Sequence, residues 1–365
     1  MPAMVRSGAF DASAARRRWL VFFIVAFAGF CSLVYQVVWE RTLKYNFGGD
    51  SISSAIVTTT FLLGLGVGAL AFGRWPRHPF RALALVELSL GVYAIASYHM
   101  PAHLAPLLGQ LSGSSIADAE GLRTPIIVAC VVFLLPPCVL MGGTLPLMFN
   151  CFVRADETRS APIGLLYGLN TLGAAVGVLA APFLLLNRHS VAATLARVGA
   201  GNVLLAVAVW WAGRRAVAWH GGPPGEVDDA PRTGAALPPV LALGFLSGFI
   251  SLAFEVVLFR VFSVFSPSSP YNFPGVLLPF LLSIALGSIL LTRLEHYTTS
   301  GALRRVGLLF LMAVAGMLLG VLGSAALSTS EFRWVFRQSP FGPLVGHLYG
   351  LLVHGLVLIV LSPSS

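Results

Sequence analysis

Two acidic side chains lie inside long apolar stretches of this sequence. Glu87 stands in "ALVELSLG" and Glu255 stands in "LAFEVVLF". An ionised side chain at the centre of a membrane helix costs at least about 2.5–3.5 kcal/mol, so each acid needs a compensating role. Either both acids are proton- or cation-binding sites facing a central cavity, or each forms an internal ion pair or hydrogen bond that locks neighbouring helices. An arginine is the expected partner of Glu255 in the second case.

Four further polar side chains are candidates for binding a substrate or protons. Gln36 and Arg41 lie toward the outer end of the first apolar stretch, and Arg260 follows Glu255. The two arginines are expected to reach lipid headgroups or to pair locally, with contact to a substrate as the alternative. Asn170, in "LYGLNTLGAAVG", is expected to hydrogen-bond across a helix interface.

No spacing in the sequence is typical of catalysis or of a metal site. The four cysteines lack C-x-x-C spacing and are expected to be small buried hydrophobes. His347 and His354 share a helix face, but two helical turns separate them by about 10 Å, too far to share one metal ion. We therefore predict no catalytic residue, no metal and no cofactor.

Membrane-spanning helices must position these residues. The chain is 57% hydrophobic and only 10% charged, and its mean hydropathy is +0.85, which excludes an ordinary soluble domain. Continuous apolar runs of about 20 residues indicate α-helices rather than the alternating strands of a β-barrel. The net charge of +9 is spread between these runs. A nucleic-acid partner is therefore excluded, and loops that contact the lipid bilayer are expected.

Ten spans are predicted from the apolar runs. Lys and Arg concentrate in alternate loops, beginning with Arg16, Arg17 and Arg18 ahead of the first span, so both termini are predicted to be cytoplasmic. The expected location is the plasma (inner) membrane. The N-terminal stretch is interpreted as an uncleaved first span rather than a signal peptide. The predicted spans are 19–39, 52–73, 81–100, 124–149, 162–186, 191–213, 237–262, 273–292, 303–327 and 341–361.

Glycines and prolines suggest how these helices pack. Gly164-x-x-x-Gly168, Gly173-x-x-x-Gly177 and "GLGVG" at 64–68 are predicted to let helix backbones approach closely. Three prolines occur around the fourth span, where they either open the helix toward a cavity or only kink it. These are Pro136, Pro137 and Pro146.

The sequence repeats itself after 219 residues. "GFCSLVYQVVWERTL" at 29–43 matches "GFISLAFEVVLFRVF" at 248–262, and the same shift carries Arg74 onto Arg293. The fold expected is therefore an all-α polytopic membrane protein with two parallel repeats. A six-span half at 1–213 and an incomplete four-span half at 237–365 are joined by a cytoplasmic linker at 214–236. The second half looks cut short; the alternative is a natural ten-span protein.

The order of motifs resembles the integral membrane region of spermidine synthase-like (polyamine aminopropyltransferase-like) fused proteins, which is major-facilitator-like. The motifs are "SLVYQVVWERTL", "FLLGLGVGALAFGR", "LPPCVLMGGTLPL", "GLLYGLNTLGAAVGVLAAPFLLL" and "SGFISLAFEVVLFRVF". The resemblance implies a soluble aminopropyltransferase domain after the membrane region. This chain contains no such unit, since "FGGDS" at 47–51 lies in a short loop between spans. Gln36 replaces the family's usual Glu, which weakens a symmetric proton-handling role.

The resemblance implies a membrane domain that transports or presents a small solute, with a polyamine as the expected class. The alternative is a scaffold that anchors a cytoplasmic aminopropyltransferase-like domain or partner without transporting anything. The resemblance implies an enzyme family, but aminopropyl transfer by this chain alone is not expected because the catalytic domain is missing from it.

Overall fold

The computed structural model describes residues 12–47, 50–73, 78–99, 123–152, 160–220 and 272–291, together with single positions between 242 and 253. These residues form seven helices and no strand, so the predicted all-α class is confirmed for the described part. The helices are α1 (Ala12–Phe47), α2 (Asp50–Gly73), α3 (Pro79–Ser97), α4 (Arg123–Phe152), α5 (Ser160–Ala180), α6 (Val191–His220) and α7 (Asn272–Leu291). One π-helical turn, Ala181–Leu185, and a short α-helical segment, Leu186–Arg188, follow α5.

Five of these helices are long and apolar enough to cross a membrane. Their spans are Trp19–Leu43, Pro79–Ser97, Val128–Phe152, Ile163–Arg188 and Val191–Arg214, and shorter apolar segments occur at Val57–Gly73 and Phe280–Ile289. All six predicted spans of the first half coincide with helices, as does the predicted span 273–292.

The remaining three predicted spans differ in how much of them is described. Only single helical positions of 237–262 are described, and the spans 303–327 and 341–361 lie outside the described residues. Helix α6 continues through His220, and residues 221–236 of the predicted linker lie outside the described part, so the linker stays a prediction.

The outer surface of the bundle suits lipid rather than water. Large apolar side chains such as Leu70 and Leu204 are exposed on the helix surfaces. Exposed tryptophans lie at the ends of spans: Trp19 begins the first, and Trp210 lies near the end of the α6 span. There the Arg214 guanidinium lies 4.4 Å from the centre of the Trp210 ring. Aromatic and basic side chains together at a span end are typical of the interface with lipid headgroups.

Glycines bring helix backbones together at two interfaces, as the sequence predicts. A β-carbon on Gly68 of α2 would lie 2.0 Å from the Val139 carbonyl oxygen of α4, and one on Gly173 of α5 would lie 1.9 Å from the Ala26 carbonyl oxygen of α1. Neither site can accept a larger residue without moving the helices apart. The packing role predicted for these glycine-rich stretches is confirmed at both positions.

The prolines leave α4 a continuous helix. Pro136, Pro137 and Pro146 all lie within its bounds. Because Pro137 has no N–H, it cannot donate the usual helical hydrogen bond to the carbonyl of Phe133. The hydroxyl of Tyr93 on α3 donates to that oxygen instead. A neighbouring helix thus satisfies a backbone group that no water could reach in a bilayer.

The α7 helix lies where the 219-residue shift places α2. The shift carries the bounds of α2 onto 269–292, and α7 covers Asn272–Leu291. Packing between α7 and α5 occurs at Gly168, where a β-carbon would lie 2.7 Å from the Ile289 side chain. The second copy of α1 falls mainly on residues outside the described part, so the two-repeat organisation and the domain boundaries stay predictions.

Candidate functional site

Glu87 lies one residue from the middle of the membrane span Pro79–Ser97 and is only 1% exposed. Asn202 lies at the middle of the span Val191–Arg214 on α6 and is equally buried. The two residues meet because α3 and α6 approach closely one helical turn away. There, a β-carbon on Gly91 would lie 2.6 Å from the carbonyl oxygen of Gly199. The small residues at this contact let the short Asn202 side chain reach Glu87.

Two hydrogen bonds join Asn202 to Glu87. The Asn202 side-chain nitrogen Nδ2 donates to the carboxyl oxygen Oε2 of Glu87 at 3.0 Å and lies 3.4 Å from the Glu87 backbone oxygen. The other carboxyl oxygen, Oε1, has no hydrogen-bond partner, and neither has the amide oxygen Oδ1 of Asn202. Among the described residues no arginine or lysine pairs with Glu87. In the described part of the chain, Glu87 is therefore held by a hydrogen bond and not by an ion pair, and its role in binding or in helix packing stays a prediction.

Helix α1 places two buried side chains near the site. Cys31 and Tyr35, one helical turn apart and both fully buried, lie within electrostatic range of Glu87. The Tyr35 hydroxyl has no hydrogen-bond partner, and its ring stacks on Trp39 with 5.4 Å between centroids. Trp39 is tied to α3, since its indole N–H donates to the Ser97 hydroxyl at 3.0 Å. Three helices thus enclose one buried acid.

Among the described residues, no hydrogen bond joins the other predicted residues of α1 and α5 to this pair. Gln36 is buried and its oxygen Oε1 has no hydrogen-bond partner. Arg41 is exposed near the end of the first span, a position from which it can reach lipid headgroups. Asn170 is half-buried at the contact of α5 with α1, where its backbone oxygen would lie 2.0 Å from a β-carbon on Gly29. Its position favours helix packing.

Glu255 and Arg260 lie outside the described residues, so the proposed symmetry between Glu87 and Glu255 stays a prediction. Three of the four cysteines, Cys31, Cys130 and Cys138, are buried, as expected of small hydrophobic residues, and Cys151 is half-buried. In the parts of the chain that the structure describes, no three His, Cys, Asp or Glu residues lie close enough to hold a metal ion.

Sequence reasoning missed Asn202 and Tyr35. Asn202 has a recognisable signal, because it is the one amide in the apolar run "VGAGNVLLAVAVWW". An amide in the middle of a span needs a partner for the same reason that Glu87 does. Tyr35 carries no comparable signal, since tyrosines are common in membrane helices and only the packing places its hydroxyl beside an acid.

In its described part the chain is all-helical, with several apolar helices of membrane-spanning length and an enclosed polar cluster around Glu87. No protein-family model matches the chain, and no solved structure matches it. The chain is similar to the polyamine aminopropyltransferase of Mycobacterium tuberculosis, with 30% identity over 182 residues, which is 48% of this chain and 32% of the relative.

Two other curated relatives show a similar identity over a similar share of the chain. The identity is 28% over 171 residues to polyamine aminopropyltransferase 1 of Streptomyces coelicolor, covering 46% of this chain and 29% of the relative. It is 29% over 200 residues to the polyamine aminopropyltransferase of Corynebacterium efficiens, covering 53% and 35%. The match thus involves about half of this chain and about a third of each relative. This distant similarity agrees with the family resemblance of the motifs.

Proposed function

We propose that this chain is the membrane domain of a polyamine aminopropyltransferase-like protein and that it transports or presents a small cationic solute of the polyamine class. The observation that carries the proposal is Glu87, an enclosed acid at mid-span with no basic partner among the described residues. Structural ion pairs neutralise a buried charge permanently, whereas an acid without one can exchange its positive partner. Polyamines are alkyl chains that carry several ammonium groups, and a carboxylate can bind such a group.

The similarity to polyamine aminopropyltransferases supports the choice of solute class. A membrane domain fused to, or associated with, an aminopropyltransferase-like domain would deliver a polyamine to it or remove the product from it. The expected arrangement has both termini in the cytoplasm and that domain or partner on the same side.

Uptake of radiolabelled putrescine and spermidine into proteoliposomes tests the proposal. We expect saturable uptake by the wild-type chain and at least a tenfold loss in Glu87→Gln, which keeps the size of the side chain but cannot become anionic. Glu40→Gln is the matched control, because Glu40 is a buried acid toward the end of α1 and is expected to keep its uptake.

A scaffold role is the outcome that would replace this proposal. Correctly folded wild-type protein that takes up neither solute, under any pH gradient, would exclude transport. If the same vesicles bind no polyamine but recruit an aminopropyltransferase-like domain from solution, the membrane domain is an anchor.

A further inference from the structure

The two unpartnered oxygens of the buried pair belong to side chains that are already joined to each other by one hydrogen bond. Glu87 accepts from Asn202 through Oε2, while Glu87 Oε1 and Asn202 Oδ1 have no partner. Both oxygens are acceptors as long as Glu87 is ionised, so they cannot satisfy each other. Unsatisfied polar atoms are rare in the interior of proteins, and water cannot compensate for them in the core of a bilayer.

One proton added to Glu87 would give both of these oxygens a hydrogen-bond partner. With hydrogen on Oε1, the carboxylic acid would donate to the amide oxygen of Asn202, while the amide nitrogen continues to donate to Oε2. A carboxylic acid and a carboxamide joined in this way would form a closed ring of two hydrogen bonds without net charge. The proton comes from hydronium in the aqueous phase: an O–H bond of hydronium breaks and leaves neutral water, the Oε1–H bond forms, and the charge of Glu87 changes from −1 to zero.

We propose that Glu87 and Asn202 form a proton-binding site at the middle of the membrane, in which a neutral Glu87 carboxylic acid is paired with the Asn202 amide. The inference concerns the resting state of the pair and holds whether or not the chain transports a polyamine. Asn202 is a positioning residue in this site, since it holds the acid in the orientation that accepts the proton.

The surroundings of the pair favour the neutral form. The groups on α1 that face Glu87 are the Cys31 thiol and the Tyr35 hydroxyl, neither of which supplies a positive charge. Helix α4, the other neighbour of α3, has no Asp, Glu, Lys, Arg or His between Thr124 and Phe152. The basic residue within the α6 span, Arg197, is exposed. No residue that the structure describes would therefore compensate the charge of an ionised Glu87.

Infrared spectroscopy of the chain in lipid nanodiscs tests the inference directly. A protonated carboxylic acid has a carbonyl stretch above the amide I band, and this stretch shifts downward in D2O. We expect such a band in the wild-type protein at neutral pH, where a carboxyl group in contact with water is ionised and does not contribute to it. The band should disappear in Glu87→Gln and remain in Glu40→Gln.

Asn202 provides the second readout. Asn202→Leu removes the amide partner, so the acid band should move to the higher frequency of a carboxylic acid that is less strongly hydrogen-bonded. Thr194→Val is the matched control, because Thr194 is another buried residue of α6 whose hydroxyl has no hydrogen-bond partner. This variant should leave the band where it is in the wild type.

The wild-type spectrum alone can overturn the proposal, even if a variant fails to fold. Absence of the acid band at neutral pH would mean that Glu87 is ionised and holds a cation instead of a proton. A band that persists unchanged in a folded Glu87→Gln variant would assign the proton to a different acid. An acid band unaffected by Asn202→Leu would remove Asn202 from the site. Loss of polyamine uptake has no bearing on any of these results.

Discussion

Replacing Tyr93 with phenylalanine removes one hydroxyl group and leaves the carbonyl oxygen of Phe133 without a donor. An unsatisfied buried polar group costs about 1–3 kcal/mol in soluble proteins, and hydrogen bonds between membrane helices average about 0.6 kcal/mol. Tyr93 is half-buried, which favours the lower part of the first range. We therefore expect Tyr93→Phe to lower the free energy of unfolding by about 1 kcal/mol, roughly a fivefold change in the folding equilibrium.

The rest of the Tyr93 side chain should be unaffected by this change. A phenylalanine ring keeps the edge contact with Trp39, at 5.9 Å between centroids, and the contact with the Phe133 ring, at 6.0 Å. The measured loss can therefore be assigned to the hydroxyl group rather than to packing.

The Tyr93 hydroxyl is needed as a donor to the Phe133 carbonyl oxygen because Pro137 has no N–H. In Pro137→Ala the new N–H can donate to the Phe133 oxygen, as in an ordinary helix, so Tyr93→Phe should cost much less on this background. A double-mutant cycle measures the difference by reversible unfolding of the four proteins in mixed micelles with increasing SDS. Equal losses on the two backgrounds, or no loss from Tyr93→Phe in the wild-type background, would refute the role assigned to the hydroxyl.

Three further predictions concern packing, a hydrogen bond and topology. Gly68→Ala should destabilise the protein by about 1–3 kcal/mol, because the new β-carbon would lie 2.0 Å from the Val139 carbonyl oxygen. Gly66→Ala is the control, since a β-carbon there would meet no neighbouring atom within 4 Å, and it should be neutral or stabilising. Thermal unfolding of the two variants and the wild type measures the difference. Ser97→Ala should cost about 1 kcal/mol in the same assay by removing the acceptor of the Trp39 N–H. Green fluorescent protein fused after residue 76 should fluoresce, and alkaline phosphatase fused there should be inactive, if the N-terminus is cytoplasmic.

The helices could be predicted because each is encoded by a local property of the sequence. Long apolar runs place α2, α3, α4 and α5, with the helical turns that follow α5, within a few residues of their observed bounds, since length and hydropathy alone define a membrane span. Helices α1 and α6 extend further than predicted. Helix α1 runs from Ala12 to Phe47 against a predicted span of 19–39, and α6 continues to His220 against a predicted end at residue 213. The Arg214 guanidinium packs over the Trp210 ring at that end of the span.

The site could be predicted only in part, because it depends on which helix faces meet. The sequence identifies Glu87, since an acid in an apolar run is conspicuous. It does not identify the partner, which is the amide of Asn202 on a helix 115 residues away. The choice between an ion pair and a hydrogen bond depended on that partner. Similarly, the prolines of α4 signal an interrupted hydrogen bond, but only the packing shows that Tyr93 replaces it.

Binding of radiolabelled spermidine to the purified chain in nanodiscs tests the proposed function most directly, because it requires neither transport nor an enzymatic partner. The account predicts saturable binding that unlabelled polyamines displace, that Glu87→Gln abolishes and that Glu40→Gln retains. It also predicts stronger binding as the pH rises, because the ammonium group must replace the proton on Glu87. Folded wild-type protein that binds no spermidine at any pH, or equal binding by wild type and Glu87→Gln, would contradict it.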